Sequence, residues 1–186
     1  MEKILNIIRQ SKKPIGVKEI TRRMNLHPSQ QKMVKNLLDR LNKEGKLIKR
    51  SGSYLIPQNE GLIEGTVCAT LAGADFFTAE ELDEDLKIVH SRAFALMHND
   101  RVLVKRTGRN CRVVKVVNRA YTRLVGTVLT ENGTYFLVPD EKKLHEIFIL
   151  PKSKRQQAQA GDKVVCEIVS YPTEKGYGVC SVLENL

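Results

Sequence analysis

At 186 residues the chain can form one large domain or three small ones, and with 5% aromatic residues and no Trp its cores must be aliphatic. Its formal charge of +10 favours polyanionic partners. No stretch reaches the roughly 20 apolar residues that a membrane-spanning helix needs, and no cleavable signal pattern opens the sequence, so a cytoplasmic protein without membrane contact is expected.

The charge is unevenly spread. Residues 1–60 hold 14 Lys and Arg against 5 Asp and Glu, residues 61–120 hold 9 against 8, and residues 121–186 hold 8 against 8. The first third therefore carries nearly the whole excess, which is the footprint of a segment that meets nucleic acid. A solvated lysine-rich face without a ligand is the competing explanation.

From the N-terminus, Ile4, Leu5, Ile7 and Ile8 predict a helix over 1–11, broken by Pro14 and Gly16. A second helix is predicted over 17–25, burying Val17, Ile20 and Met24. A third and longest runs over 28–44, with Pro28 near its start, Met33, Val34, Leu37, Leu38 and Leu41 at helical spacing, and Gly45 as its stop. Two short strands, 46–50 and 54–56, then flank the turn Ser51-Gly52. Three helices followed by a hairpin is the order of a winged helix-turn-helix, assigned to residues 1–58. Its third helix would present Gln31, Lys32 and Lys35 to nucleic acid, and its wing Lys46, Lys49 and Arg50.

After a short polar linker at 57–60 the period becomes alternating, and from there the sequence repeats itself. His98-Asn99-Asp100-Arg101-Val102 is echoed by Ala160-Gly161-Asp162-Lys163-Val164, and Gly65-Thr66-Val67 by Gly126-Thr127-Val128. Phe76-Phe77 falls opposite Phe136-Leu137. Asn99 and Gly161 both tolerate a left-handed backbone, so each echo reads as a tight turn entering a strand. Two copies of one small β-domain, 61–118 and 121–186, follow. In the first copy strands are predicted at 62–71, 75–79, 86–90, 101–106 and 112–118, which fits an OB barrel. Val102 and Val104 would face inward with Arg101, Leu103 and Lys105 outward; in the second copy Val164, Cys166 and Ile168 take the inward side. The fold class is α+β multidomain, a winged helix followed by two tandem OB-fold, cold-shock-like barrels, and small units of this kind are expected to pack on one another.

OB barrels bind single strands by stacking bases on exposed aromatics, with Lys and Arg along the groove. The candidates are Phe76, Phe77, Lys87, His90, Arg101 and Lys105 in the first barrel. In the second they are Tyr135, Phe136, Phe148, Lys152, Lys154 and Arg155. Neighbours on a strand point oppositely, so only one of each adjacent aromatic pair can face the groove; core packing is the alternative for the rest. The acidic run from Glu80 to Asp85 reads as a solvated loop rather than a two-metal nuclease centre. Cys68, Cys111, Cys166 and Cys180 lack metal-ligand spacing and are expected to be free thiols. No catalytic residue and no cofactor is assigned.

The segment Ala95 to Arg106, ALMHNDRVLVKR, followed by VGTV, FLVPDEKKLHEIFI and AGDKVVCEIVSYP, resembles the N-terminal region of the ribonuclease R branch of the RNase II exoribonucleases. Asn99 stands where that family has Gly, and Gly73 to Phe77 is a reduced form of the cold-shock RNA motif, with Ala74 in an aromatic position. The resemblance implies an RNA-binding front end that guides single-stranded RNA, and possible engagement of structured RNA or the ribosome. It also implies that the hydrolytic domain, with its Asp cluster and Mg2+, would follow Leu186, leaving this chain without catalysis and expected to be monomeric. A winged-helix regulator of duplex DNA and a protein-interaction adaptor are the alternatives.

Overall fold

The computed structural model of the chain describes residues 1–89, 95–173 and 175–186. Its first part is a helical head of α1 (Glu2–Gln10), α2 (Val17–Arg23) and α3 (Gln31–Lys43), with a small antiparallel sheet of β1 (Ile15–Gly16), β2 (Ile48–Arg50) and β3 (Ser53–Leu55) in the order β1-β3-β2. The helices form because Ile4 and Ile8, then Ile20, then Val34, Leu38 and Leu41, recur at three- and four-residue spacing and meet in one core around Tyr54. Ser51 and Gly52 carry the positive φ angles of the predicted hairpin turn, 46° and 79°.

Several boundaries differ from expectation. All three helices are shorter, and α3 starts late because Pro28–Gln30 forms a 3-10 turn capped by His27 before it begins. The hairpin strands start at Ile48 and Ser53, and β1 goes unforeseen because a two-residue strand leaves no period to read. Met33, counted among the core residues, is 57% exposed.

Under the hairpin, Asp39 accepts hydrogen bonds from Lys49 (2.8 Å) and from the Tyr54 hydroxyl (2.6 Å), tying α3 to both strands. The Lys49 ammonium, then the Tyr54 hydroxyl, holds the Asp39 carboxyl below its usual pKa. A carboxyl depressed on folding contributes stability in full above its unfolded value and loses it as pH falls through the folded one. Asp39→Asn should therefore flatten the fall in stability of the head between about pH 5 and pH 2, read from urea midpoints across that range. An unchanged acid limb would show that the knot contributes nothing.

The rest of the chain forms two closed five-stranded barrels. The first contains β4 (Leu62–Ala69), β5 (Asp75–Thr78), β6 (Leu86–Ile88), β7 (Arg101–Thr107) and β8 (Asn110–Asn118) in the order β4-β5-β6-β8-β7. The second contains β9 (Arg123–Glu131), β10 (Thr134–Pro139), β11 (Phe148–Ile149), β12 (Lys163–Ser170) and β13 (Gly178–Asn185). Its order, β10-β11-β13-β12-β9, is the same circuit, with one parallel pairing at the same place in each: β6 with β8 and β11 with β13. Both barrels are OB-like.

The sequence repeat is a repeat of hydrogen bonds. Asn99 donates to the Val67 carbonyl and Val67 back to that of Asp100; Gly161 donates to the Val128 carbonyl and Val128 back to that of Asp162. Asn99 and Gly161 have φ of 67° and 94°. A Cβ on Gly65 would lie 2.3 Å from the Thr78 carbonyl oxygen, and one on Gly126 2.4 Å from that of Val138, so each Gly-Thr-Val glycine lets the first strand cross close to the second.

The three parts pack directly on one another. Ile48 and Leu55 of the head cluster with Leu62, Leu103 and Val117 of the first barrel. Leu103, expected to face outward, is fully buried because the head covers that side. Residues 57–60 are a 3-10 turn with Pro57 buried rather than a loose linker. The Lys115 ammonium donates to the main-chain and side-chain oxygens of Asn42, capping the end of α3 from the barrel. Between the barrels, Met97 sits in the second core, and the ring Nε2 of His145 donates to the Thr70 carbonyl (2.9 Å).

Arg119 ties the barrels together. The fully buried Asp100 carboxylate accepts from the main-chain N–H groups of Met97 and Ala120 and from the Arg119 guanidinium, each at 2.9 Å. Arg119 also donates to the Ala95 carbonyl and lies 4.3 Å above the Tyr171 ring, whose hydroxyl donates to the Tyr121 carbonyl. Cys111, Cys166 and Cys180 are buried free thiols, with burial pushing Cys180 up to about 12. Among the described residues no helix is long and apolar enough to cross a membrane.

Candidate nucleic-acid interface

Strand alternation decides which aromatics are available. On β5, Phe77 is fully buried in the first core, while Phe76 points outward between Cys68 of β4 and Lys87 of β6. On β10, Leu137 takes the buried position and Phe136 the outward one, between Leu129 of β9 and Ile149 of β11. Phe76 and Phe136 therefore occupy equivalent places on equivalent faces.

In the first barrel that face is cationic. Lys87 pairs with Asn110 on β8, and Arg112, two residues on, lies opposite Lys105 of β7. Lys87, Lys105 and Arg112 are exposed, so the half-buried ring has Lys87 directly beside it, with Arg112 and Lys105 further round the same barrel on β8 and β7. Arg112 was not among the sequence candidates. The signal for it was the alternation of Cys111, Arg112 and Val113, which puts the arginine outside.

In the second barrel the same face is mostly apolar. Leu129, Phe136, Val138, Ile147 and Tyr177, together with Thr130 and Glu131, line a cleft of about 290 Å³. Tyr177 meets Phe136 edge-on, with ring centroids 5.7 Å apart at 70°, and is itself 59% exposed. Tyr177 also escaped the sequence reading, because it sits in the loop before β13 where no period exposes it.

Two sequence candidates are overturned. Phe77 and Phe148 have no exposed surface and cannot stack on a base; both are core residues, and a Cβ on Gly178 would lie 2.6 Å from the Phe148 ring. Tyr135 is half-buried against the second core, and the Arg155 guanidinium lies 3.5 Å from its ring centre, so these two candidates pair with each other. Lys152 and Lys154 stand on the 3-10 turn between β11 and β12. Arg101 is exposed but bound to Glu64 at 2.6 Å. His90 lies outside the described residues.

In the head, Lys32 and Lys35 are exposed on α3 beside Met33, and Gln31 is half-buried. The hairpin-side cations are engaged: Lys46 with Glu44 (2.9 Å), Lys49 with Asp39, and Arg50 with Glu60 (2.7 Å). The acidic run at 80–85 is an exposed loop, apart from half-buried Leu82. Among the described residues no three His, Cys, Asp or Glu converge as metal ligands.

The chain is similar to known proteins. The Cold shock domain family model matches residues 136–186. Ribonuclease R of Aquifex aeolicus is 28% identical over 189 residues, covering all of this chain and 26% of that protein. Ribonuclease R of Escherichia coli is 28% identical over 195 residues, covering all of this chain and 24% of that protein. Over its whole length the chain is similar to one part of ribonuclease R.

The chain spans about a quarter of the length of these curated relatives. Among solved structures, Mycoplasma genitalium RNase R in complex with ribose methylated single-stranded RNA shares the fold over 67% of this chain and 21% of its own, with TM-score 0.56 and 16% identity. The yeast pseudonuclease Ssd1 does so over 69% of this chain and 23% of its own, with TM-score 0.57 and 14% identity.

Proposed function

We propose that this chain is the RNA-binding front end of a ribonuclease R-like 3'-to-5' exoribonuclease, which binds and guides single-stranded RNA and performs no hydrolysis itself. The carrying observation is the pair of outward rings, Phe76 and Phe136, at matching positions of two similar barrels, one beside Lys87 with Arg112 and Lys105 further round the barrel, the other beside Tyr177. Aromatic faces accept any base and cations follow the backbone, so such a surface suits a protein that must not read sequence. In this reading the chain divides into a winged helix (1–58) and two cold-shock domains (61–118 and 121–186). Lys32 and Lys35 of the winged helix contact structured RNA, and Mg2+ belongs to a catalytic domain elsewhere in the parent enzyme.

The test is titration of labelled single-stranded RNA, duplex RNA and duplex DNA at two salt concentrations. Single-stranded RNA should bind best, and Phe136→Ala with Tyr177→Ala should weaken it by about 1–3 kcal/mol for each base that loses its stack. Sequence-specific duplex DNA binding would replace this reading with that of a transcriptional regulator. Failure to bind any nucleic acid would favour a protein adaptor.

A further inference from the structure

We propose that the cleft between the helical head and the first barrel is a second RNA site, one that grips the phosphodiester backbone without touching bases. The inference rests on the RNA-binding reading above and extends it to a surface that the aromatic rings do not reach.

The cleft, of about 660 Å³, has Arg40, Lys43, Glu44 and Lys46 on one side and Glu64 and Arg101 on the other. Its walls are fixed with respect to each other. Gly45, at φ 73°, packs so tightly that a Cβ there would lie 2.7 Å from Val117, and Lys115 holds the Asn42 oxygens. The end of α3 is thereby held against β8, and the cations of both walls stay at a set spacing.

Four cations face two carboxylates. Glu44 holds Lys46 at 2.9 Å and Arg40 at 3.8 Å, and Glu64 holds Arg101 at 2.6 Å. Lys43 has no ion-pair partner among the described residues. Exposed pairs of this kind contribute little to stability, so a phosphate can take the place of a carboxylate at small cost. The cleft far exceeds a single phosphate group, and no aromatic side chain lines it, which favours backbone contact over base stacking.

This site is separate from the stacking face. The neighbouring cleft shares Glu64 and Arg101 but adds Glu80 and Glu81 to its lining, which makes it acidic. Along the outer side of β4 that acidic ground lies between the basic cleft and Phe76, so the phosphates held by the head belong to another segment of the RNA than the bases on the rings.

The experiment titrates a long single-stranded RNA onto the whole chain over a range of salt. The double variant K43Q/K46Q should lower the slope of log K against log salt by about 1.4, at about 0.7 per lost phosphate contact, and weaken binding about tenfold at low salt. E44Q frees Arg40 and Lys46 for phosphate and should tighten binding severalfold, a gain that misfolding cannot mimic. Phe136→Ala should weaken binding at unchanged slope. If K43Q/K46Q and E44Q leave slope and affinity alone while Phe136→Ala weakens binding, the cleft is not a site and the RNA-binding reading stands. If the unaltered chain binds no RNA, that reading fails first.

Discussion

Asp100→Ala should cost about 3–5 kcal/mol of unfolding free energy, the range for breaking a buried ion pair by deleting one partner. The Asp100 carboxylate is fully buried and its two oxygens serve two main-chain N–H groups and one guanidinium. Truncation leaves the Met97 and Ala120 N–H groups without an acceptor and strands the Arg119 charge, whose side chain is only 20% exposed. Asn at this position keeps the shape but turns an amide N–H toward a donor, so Asp100→Asn should be nearly as harmful. Asp162, its counterpart in the second barrel, accepts from Gln159 and Asn185 in a half-exposed setting and should tolerate Ala far better. Urea titrations of the three variants decide the matter; equal losses at positions 100 and 162 would contradict the account.

Phe148→Ala should cost a similar amount, about 3–5 kcal/mol for an aromatic ring removed from a core. RNA affinity per folded molecule should stay the same. Phe136→Ala should show the reverse, with affinity lost and the unfolding midpoint held. The two phenylalanines stand twelve residues apart in one barrel, and what separates them is which side of the sheet they face. A surviving midpoint in Phe148→Ala together with weakened RNA binding would return Phe148 to the surface.

Those two positions also show where sequence reading stops. The repeat was legible because the glycine of each Gly-Thr-Val and the left-handed residue of each tight turn are demanded by the backbone, so the same letters recur wherever the barrel circuit recurs. The phase of a short strand was not legible where neighbours are both apolar: Phe76-Phe77 and Tyr135-Phe136-Leu137 fit either side equally. Leu103 follows the alternation faithfully yet is buried, because the head covers the outside of its strand. Met33 has the helical spacing of a core residue but lies at the margin of the apolar stripe of α3. Arg119 and Tyr171 draw their roles from contacts made across the boundary between barrels, and no local pattern announces those.

Ring closure has a consequence for how such a protein survives at high concentration. Ten of the thirteen strands among the described residues belong to closed barrels and offer no open margin to a second molecule. The remaining free margins are β1, only two residues long, and β2, which carries Lys49 and Arg50. Polymerisation by strand addition, the common hazard of β-rich chains, is left almost nowhere to begin.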